Sequence, residues 1–452
     1  MVASRIFGTD GVRGVANREL TPELAFRVGR ATAAVLAGQI DRNRPIVVGR
    51  DTRLSGTMLE AALVAGIAST GRDALAVGVV PTPGVAHLTI ASGAAAGVMI
   101  SASHNPIEDN GIKIFGADGF KLDDAREEDI ERAVGHDSAA PRPTHSAVGI
   151  VRTAHELVER YVAALVASGE DLSSLTLVVD CAYGAAYDVA PRALERLGAR
   201  VETLHAQDDG SRINVACGST DLRSVVDRVR ALRAERPAAH VLGVAFDGDA
   251  DRALFVDETG DVKTGDHVML MLGREKKRRG ELPDDTVVGT VMSNVGLERA
   301  LQAEGITLAR AAVGDRYVLE MLRASGATFG GEQSGHVIDL SRNTTGDGPA
   351  TAIAVASLVA RERTTLHELS AALHVAPQIL VNVRTARRDV LEHVDVRDTI
   401  ARAERELSPS GRILVRASGT EPLIRVMIEG DERRQIETLA HGVADVIERV
   451  AQ

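Results

Sequence analysis

An apolar strand-like run, a turn of small residues, an amphipathic helix and a second apolar run follow one another three times along this chain, and that recurrence limits the folds open to it. In the first unit Pro45-Ile46-Val47-Val48-Gly49 leads to Leu59-Glu60-Ala61-Ala62-Leu63, and Ala74-Leu75-Ala76-Val77-Gly78-Val79-Val80 follows Gly71. In the second, Leu177-Val178-Val179-Asp180 leads to Arg192-Ala193-Leu194-Glu195-Arg196-Leu197, with Gly198 placed to cap the helix and Arg200-Val201-Glu202-Thr203-Leu204 beyond it. In the third, Val287-Val288-Gly289-Thr290-Val291 leads to Leu297-Glu298-Arg299-Ala300-Leu301, then Gly305 and Ile306-Thr307-Leu308. Strands that stay apolar throughout must be covered on both faces, which helices flanking a mainly parallel sheet provide. The expected fold class is therefore α/β, with three related α/β domains built on mixed, mainly parallel sheets. A chain of 452 residues exceeds what one core organises, so several domains also fit its length.

The C-terminal part departs from this plan. Gln378-Ile379-Leu380-Val381-Asn382-Val383, Arg412-Ile413-Leu414-Val415-Arg416 and Leu423-Ile424-Arg425-Val426-Met427-Ile428-Glu429 read as strands, with helical runs near 389–406 and 432–450. They predict a smaller C-terminal α+β domain of helices on an antiparallel sheet. The expected boundaries are 1–155, 156–255, 256–372 and 373–452, with linkers at Asp137 to Val148 and at Val375-Ala376-Pro377. From Ala74 to Ile107 no Asp, Glu, Lys or Arg occurs, but Pro81, Pro83, Gly84, Ser92 and Gly93 cut the stretch into pieces too short to span a bilayer. It reads as two buried strands around a helix.

A net charge of -11 and the absence of Trp argue against a general nucleic-acid or anionic-membrane surface, since both need excess cations and the first often needs aromatic platforms. Neither nucleic acid nor membrane is expected as a partner. An anionic substrate would need positive charge gathered in a cleft, with a bound cation. Cys181 and Cys217 show no metal-ligand spacing and fit a reducing cytosol as packing residues; with no secretory segment at the N-terminus, a cytoplasmic location is expected. The basic run Lys276-Lys277-Arg278-Arg279 reads as a solvated helix end.

Four clusters carry chemistry. Phe246-Asp247-Gly248-Asp249-Ala250-Asp251-Arg252 follows the apolar run Val241 to Ala245, so Asp247, Asp249 and Asp251 leave a strand together. Three carboxylates this close repel one another unless a cation sits among them, and the small residues between them let the backbone curl around it. Loop length and the missing downstream Glu disfavour an EF-hand, and a solvated acidic turn would show the same carboxylates. Ile100-Ser101-Ala102-Ser103-His104-Asn105-Pro106, followed by Lys113, offers a hydroxyl beside an imidazole and an ammonium; a turn-capping Ser would look the same, and no acid is placed for a hydrolase triad. Gly330-Gly331-Glu332-Gln333-Ser334-Gly335-His336 alternates acceptors and donors suited to sugar hydroxyls, as would a polar hairpin. Arg416, Ser418, Gly419, Thr420 and Arg425 combine forked guanidinium donors, hydroxyls and an approachable backbone, the parts of a phosphate cradle or of an ordinary surface turn.

Together with Arg5-Ile6-Phe7-Gly8-Thr9-Asp10-Gly11-Val12-Arg13-Gly14, these clusters in this order resemble the α-D-phosphohexomutase family over essentially the whole chain. Gln333, the Ser418-Gly419-Thr420-Glu421-Pro422 loop, Cys217-Gly218-Ser219-Thr220-Asp221 and Gly314-Asp315-Arg316-Tyr317-Val318 are similar to its glucosamine branch, which more often has Asn at Tyr183 and Gly at Ala250. The resemblance implies a mutase that interconverts glucosamine 6-phosphate and glucosamine 1-phosphate through phosphorylated Ser103 and a 1,6-bisphosphate, feeding UDP-N-acetylglucosamine and cell-wall precursors. It implies one Mg²⁺ held by the Ser103 phosphate with Asp247, Asp249 and Asp251, and glucosamine or glucose 1,6-bisphosphate as activator. It places Arg13, His104, Lys113 and His336 around the reacting hydroxyl, and Arg252, Glu332, Ser334, Arg416, Ser418, Gly419, Thr420 and Arg425 on the phosphosugar. The C-terminal domain is expected to swing on the linker near Pro377 and close over it. Loading of Ser103 by a kinase or by the chain itself, and a homodimer, are compatible with this. The alternatives are a sister mutase for glucose or mannose phosphates and a non-catalytic sugar-phosphate-binding protein.

Overall fold

The computed structural model describes residues 6–8, 10–37, 43–135, 140–408, 411–418 and 422–452. The three repeated units are strand–helix–strand units as expected: Ile46–Arg50, Gly56–Ala68 and Ala74–Val79; Leu175–Asp180, Ala186–Arg196 and Arg200–Leu204; Thr286–Thr290, Val295–Ala303 and Thr307–Ala311. In each, the two strands pair in parallel. The uncharged stretch forms Ala74–Val79, the helix Thr82–Ala91 and the strand Ala96–Ile100; the last is wholly buried, while the helix is buried up to its C-terminal end, where Ile90 is exposed.

The first three sheets are mixed. The first runs Phe7–Gly8, Gly11–Val15, Asp109–Gly116, Ala96–Ile100, Ile46–Arg50, Ala74–Val79, Val151–Thr153; its last four strands are parallel neighbours, and the others add antiparallel. The second centres on parallel His240–Phe246 and Leu175–Asp180, with Ala253–Val256 antiparallel beside them. The third sets Thr286–Thr290 parallel to both Thr307–Ala311 and Phe329–Gly331 and ends on antiparallel Val337–Asp339. The fourth is purely antiparallel, Gln378–Arg384, Leu423–Gly430, Gly411–Ala417, backed by the helices Val394–Leu407 and Arg433–Ala451. Three α/β domains and a smaller C-terminal domain are thus present.

One apolar core runs from Val47 through the second sheet to Leu373, so the first three domains share packed surface. The fourth encloses a core of its own, from Val383 to Ile447. One expectation fails locally. Lys276 is not solvated: it is buried, ion-paired to Asp339 at 2.9 Å, with its ammonium 5.6 Å from the Phe329 ring centroid.

Candidate active site

Strands ending at Arg50 and Ile100 deliver Asp51, Arg53, Ser101 and Ser103 to the carboxyl edge of the first sheet, and the strand ending at Phe246 delivers the three aspartates to the same place. Open α/β sheets build their binding crevices at such edges. Ser103 adopts the left-handed conformation, φ 53°, and is 2% exposed. Its Oγ donates to Asp247 Oδ2 at 2.6 Å and lies 3.4 Å from His104 Nδ1. The two loops touch so closely that a Cβ on Gly248 would stand 2.6 Å from the Ser103 carbonyl oxygen. Tyr183 and Ala250 hold φ of 51° and 55°, left-handed conformations that Asn and Gly adopt with less strain. The Arg212 guanidinium lies 4.2 Å over the Tyr183 ring.

Asp247, Asp249 and Asp251 are all buried and each offers a carboxylate oxygen within 4.8 Å of the others. Asp249 Oδ1 and Asp251 Oδ1 are buried without a hydrogen-bond donor. Buried carboxylate oxygens lacking donors are what a hard cation satisfies, so the residues fit a Mg²⁺-type ion. Electrostatics agree: burial and then the neighbouring Asp251 and Asp249 push Asp247 well above the usual carboxylate range, a penalty that a dication would offset.

Cations surround this group. Lys113, also 2% exposed, places Nζ 2.9 Å from Asp249, 3.2 Å from Asp10 and 3.5 Å from Asp251. Burial alone would lower its pKa, but the three carboxylates outweigh that and hold the ammonium well above its ordinary range. Asp249 is the reverse case, with burial opposed by Lys113 and by Thr82 Oγ1 at 2.6 Å, and the net shift is down. Arg13 pairs with Asp10 and donates to Asn105 Oδ1 at 3.1 Å. His104, though exposed at one edge, loses hydration at the other and faces Arg252 and Arg13, which lowers it to about 4.

The opposite wall comes from the third domain. Ser103, Arg13, Asp251 and Arg252 share a cleft of about 600 Å³ with Asp315, Glu332, Ser334 and His336. Arg252 and His336 meet in an isolated antiparallel bridge, which stitches the aspartate loop to the Glu332–His336 turn. His336 Nε2 stands 3.8 Å from both Asp251 and Asp315, and neither ring nitrogen has a hydrogen-bond partner. Glu332 accepts from the Gly314 N–H at 3.0 Å.

The structure therefore gathers Arg13, Ser103, His104, Lys113, the three aspartates, Arg252, Glu332, Ser334 and His336 in one region. It leaves Arg416, Ser418 and Arg425 on the fourth domain, outside the cleft lining. Arg416 and Arg425 face each other across paired strands, and burial together with the neighbouring Arg425 lowers Arg416. Gly419 and Thr420 lie outside the described residues. Sequence reasoning missed Asp10 and Lys121, which link to Asp315 across the domains, although Asp10 and Asp315 stood inside quoted motifs. It also missed Thr82, Asp51 and Arg53, for which no motif signal was read.

Family models for the phosphoglucomutase/phosphomannomutase α/β/α domains I, II and III and for the C-terminal domain match residues 4–140, 159–260, 264–375 and 380–446. The chain belongs to the phosphohexomutase family. Within it, a phosphoglucosamine mutase of Moorella thermoacetica is 52% identical over 445 residues, 98% of this chain and 99% of that one. A phosphoglucosamine mutase of Mycolicibacterium paratuberculosis is 50% identical, covering 98% and 99%. Among solved structures, a phosphoglucomutase/phosphomannomutase family protein of Burkholderia thailandensis superposes with a TM-score of 0.83 at 24% identity, covering all of this chain and 98% of that one. This phosphohexomutase is thus an enzyme, an intramolecular phosphotransferase of the phosphoglucosamine mutase group. No helix among its described residues is long and apolar enough to cross a membrane.

Proposed function

We propose that the chain interconverts glucosamine 6-phosphate and glucosamine 1-phosphate through phosphorylated Ser103 and an enzyme-bound 1,6-bisphosphate. One observation carries this reading: the Ser103 hydroxyl lies 2.6 Å from one of three clustered buried aspartates, in a cleft whose far wall carries Glu332, Ser334 and His336. A hydroxyl in that setting can bear a phosphoryl group whose charge the site is built to balance.

The sugar hydroxyl attacks the phosphorus as its proton passes to a neighbouring base, the phosphorus–Oγ bond breaks, and the 1,6-bisphosphate forms with Ser103 released as the alkoxide, which takes up that proton equivalent. The bisphosphate then turns over and returns its other phosphoryl group to Ser103. Asp247, Asp249 and Asp251 would hold Mg²⁺, which when bound supplies positive charge to the transferring group. Lys113, whose ammonium its carboxylate neighbours hold charged, and the Arg13 guanidinium stabilise that group. His104, lowered to about 4, is neutral at pH 7 and is the imidazole near Oγ able to accept a proton. His336 serves the sugar from across the cleft. Glu332 and Ser334 bind sugar hydroxyl or amino groups. Arg416, Ser418 and Arg425, with Gly419 and Thr420, grip the distal phosphate once the fourth domain closes, keeping water from the phosphoserine. Glucosamine or glucose 1,6-bisphosphate would restore enzyme that has lost its phosphate. The product would feed UDP-N-acetylglucosamine and cell-wall precursor synthesis.

The test is a coupled assay of glucosamine 1-phosphate formation from glucosamine 6-phosphate, with Mg²⁺ and catalytic bisphosphate, beside glucose and mannose phosphates. A kcat/KM at least about 100-fold higher for the amino sugar is expected, since a buried polar contact penalises an analogue lacking its partner. Preference for a neutral hexose phosphate would keep the mechanism and overturn the substrate.

A further inference from the structure

Arg53 is a fully buried cation that touches neither substrate cleft nor aspartate cluster, yet every one of its side-chain N–H groups is committed. Nε donates to Asp51 Oδ2 at 3.1 Å. One terminal nitrogen donates to the carbonyls of Ser103 at 3.0 Å and Asn105 at 2.8 Å, and the other to those of Pro106 and of Asp109 at 2.9 Å. One guanidinium thus gathers four carbonyls from the loop that carries Ser103. Asp51 reaches the same loop from the other side, because Ser101 Oγ donates to Asp51 Oδ2 at 2.6 Å and accepts the Ser103 N–H at 2.9 Å. Ser103 is therefore held by its N–H through Ser101 and by its carbonyl through Arg53, and it is the residue in the left-handed conformation.

A non-glycine residue at positive φ is strained and persists only where its surroundings over-determine it. Without Arg53, four loop carbonyls would lose a charged donor, and φ at Ser103 could relax toward the favoured negative range, swinging Oγ away from Asp247. The pair Asp51–Arg53 is close to neutral overall, so it adds little net field at the reacting phosphate. Its effect is geometric. Transfer chemistry is steep in geometry, a 1 Å misplacement costing roughly 100-fold.

Resting on the reading of Ser103 as the phosphoryl carrier, we propose that Arg53, fixed by Asp51 and seconded by Ser101, is the positioning residue that locks the Ser103 loop in its transfer-competent conformation. Lysine keeps the charge but cannot present five forked donors, so Arg53→Lys should not substitute. Sugar binding lies with the third-domain wall and should be spared.

The test compares Arg53→Lys, Ser101→Ala and Ser103→Ala with the parent enzyme in steady-state assays with glucosamine 6-phosphate, Mg²⁺ and excess glucose 1,6-bisphosphate, together with thermal melts. The expected result is a fall in kcat of about 100-fold for Arg53→Lys and about 10-fold for Ser101→Ala, with KM within about 3-fold of the parent in folded protein. Retention of parental kcat by folded Ser101→Ala, or a loss in either variant carried by KM, overturns the proposal. If Arg53→Lys does not fold, Ser101→Ala decides alone by the same criteria. Parental turnover by Ser103→Ala would instead remove the reading beneath it, and that result is separate from the other two.

Discussion

Ser103 and the aspartates differ in what their loss should do, although they sit in contact. Ser103→Ala deletes the oxygen proposed to bear the phosphoryl group, so turnover should fall by about 10⁴-fold or more with unchanged melting, as for other nucleophiles acting as part of a unit. Asp249→Asn keeps the shape but removes a charge whose second oxygen has no donor, while leaving Lys113 less well balanced. Its affinity for Mn²⁺ as a spectroscopic stand-in should weaken by at least about 10-fold, measured by paramagnetic resonance. At this scale the sequence displayed the residues that belong to compact motifs. It hid Thr82, Asp51 and Arg53, because their partners stand far along the chain: Thr82 reaches Asp249 and Arg53 reaches Asp109 only once strands from different units align.

The helices Pro22–Ala37 and Gly56–Ala68 cross with a glycine from each at the contact. A Cβ on Gly66 would stand 2.1 Å from the Phe26 carbonyl oxygen, and one on Gly29 2.3 Å from that of Leu63. Alanine normally favours a helix over glycine by about 1 kcal/mol. Here the clash is with backbone, which cannot rotate aside, so Gly66→Ala should destabilise by about 1–3 kcal/mol, read by denaturant unfolding. The strand–helix–strand units were legible because fully apolar strands and helical periodicity are local signals. The burial of Lys276 was not, because a basic run looks solvated until Asp339 and the Phe329 ring arrive from the neighbouring hairpin.

Across the whole molecule, the separate core of the fourth domain leaves its junction with the third to polar contacts. Asn294 accepts from the Ala376 N–H at 2.9 Å and donates to the Ala376 carbonyl at 3.1 Å, and the fully buried Glu429 accepts from Val295 N–H and Arg412. Beside them Asp266 accepts the Asn294 N–H, and burial with help from Glu429 pushes its carboxyl up to about 7. A carboxyl raised in the folded state binds a proton there that the unfolded chain has already released, so its stabilisation is full at low pH and fades as pH rises through 7. Between pH 5.5 and 8 the parent should lose about 1–2 kcal/mol that Asp266→Asn does not lose, measured by pH-dependent unfolding. The linker at Val375-Ala376-Pro377 could be read in the sequence, but not this junction, whose groups come from five separate segments. That Arg416, Ser418 and Arg425 lie outside the cleft lining could not be read in the sequence, since a local motif does not say which face of a separate domain meets the cleft.

The central claim is that Ser103 lends its phosphoryl group to the sugar. Protein carrying a radiolabelled phosphate at Ser103 should be mixed with unlabelled glucosamine 6-phosphate and Mg²⁺ for one turnover, then protein and sugar counted separately. The account predicts that label leaves the protein for the phosphosugar within the time of a turnover, approaching one phosphate per chain. Label that stays on the protein while product forms would contradict it.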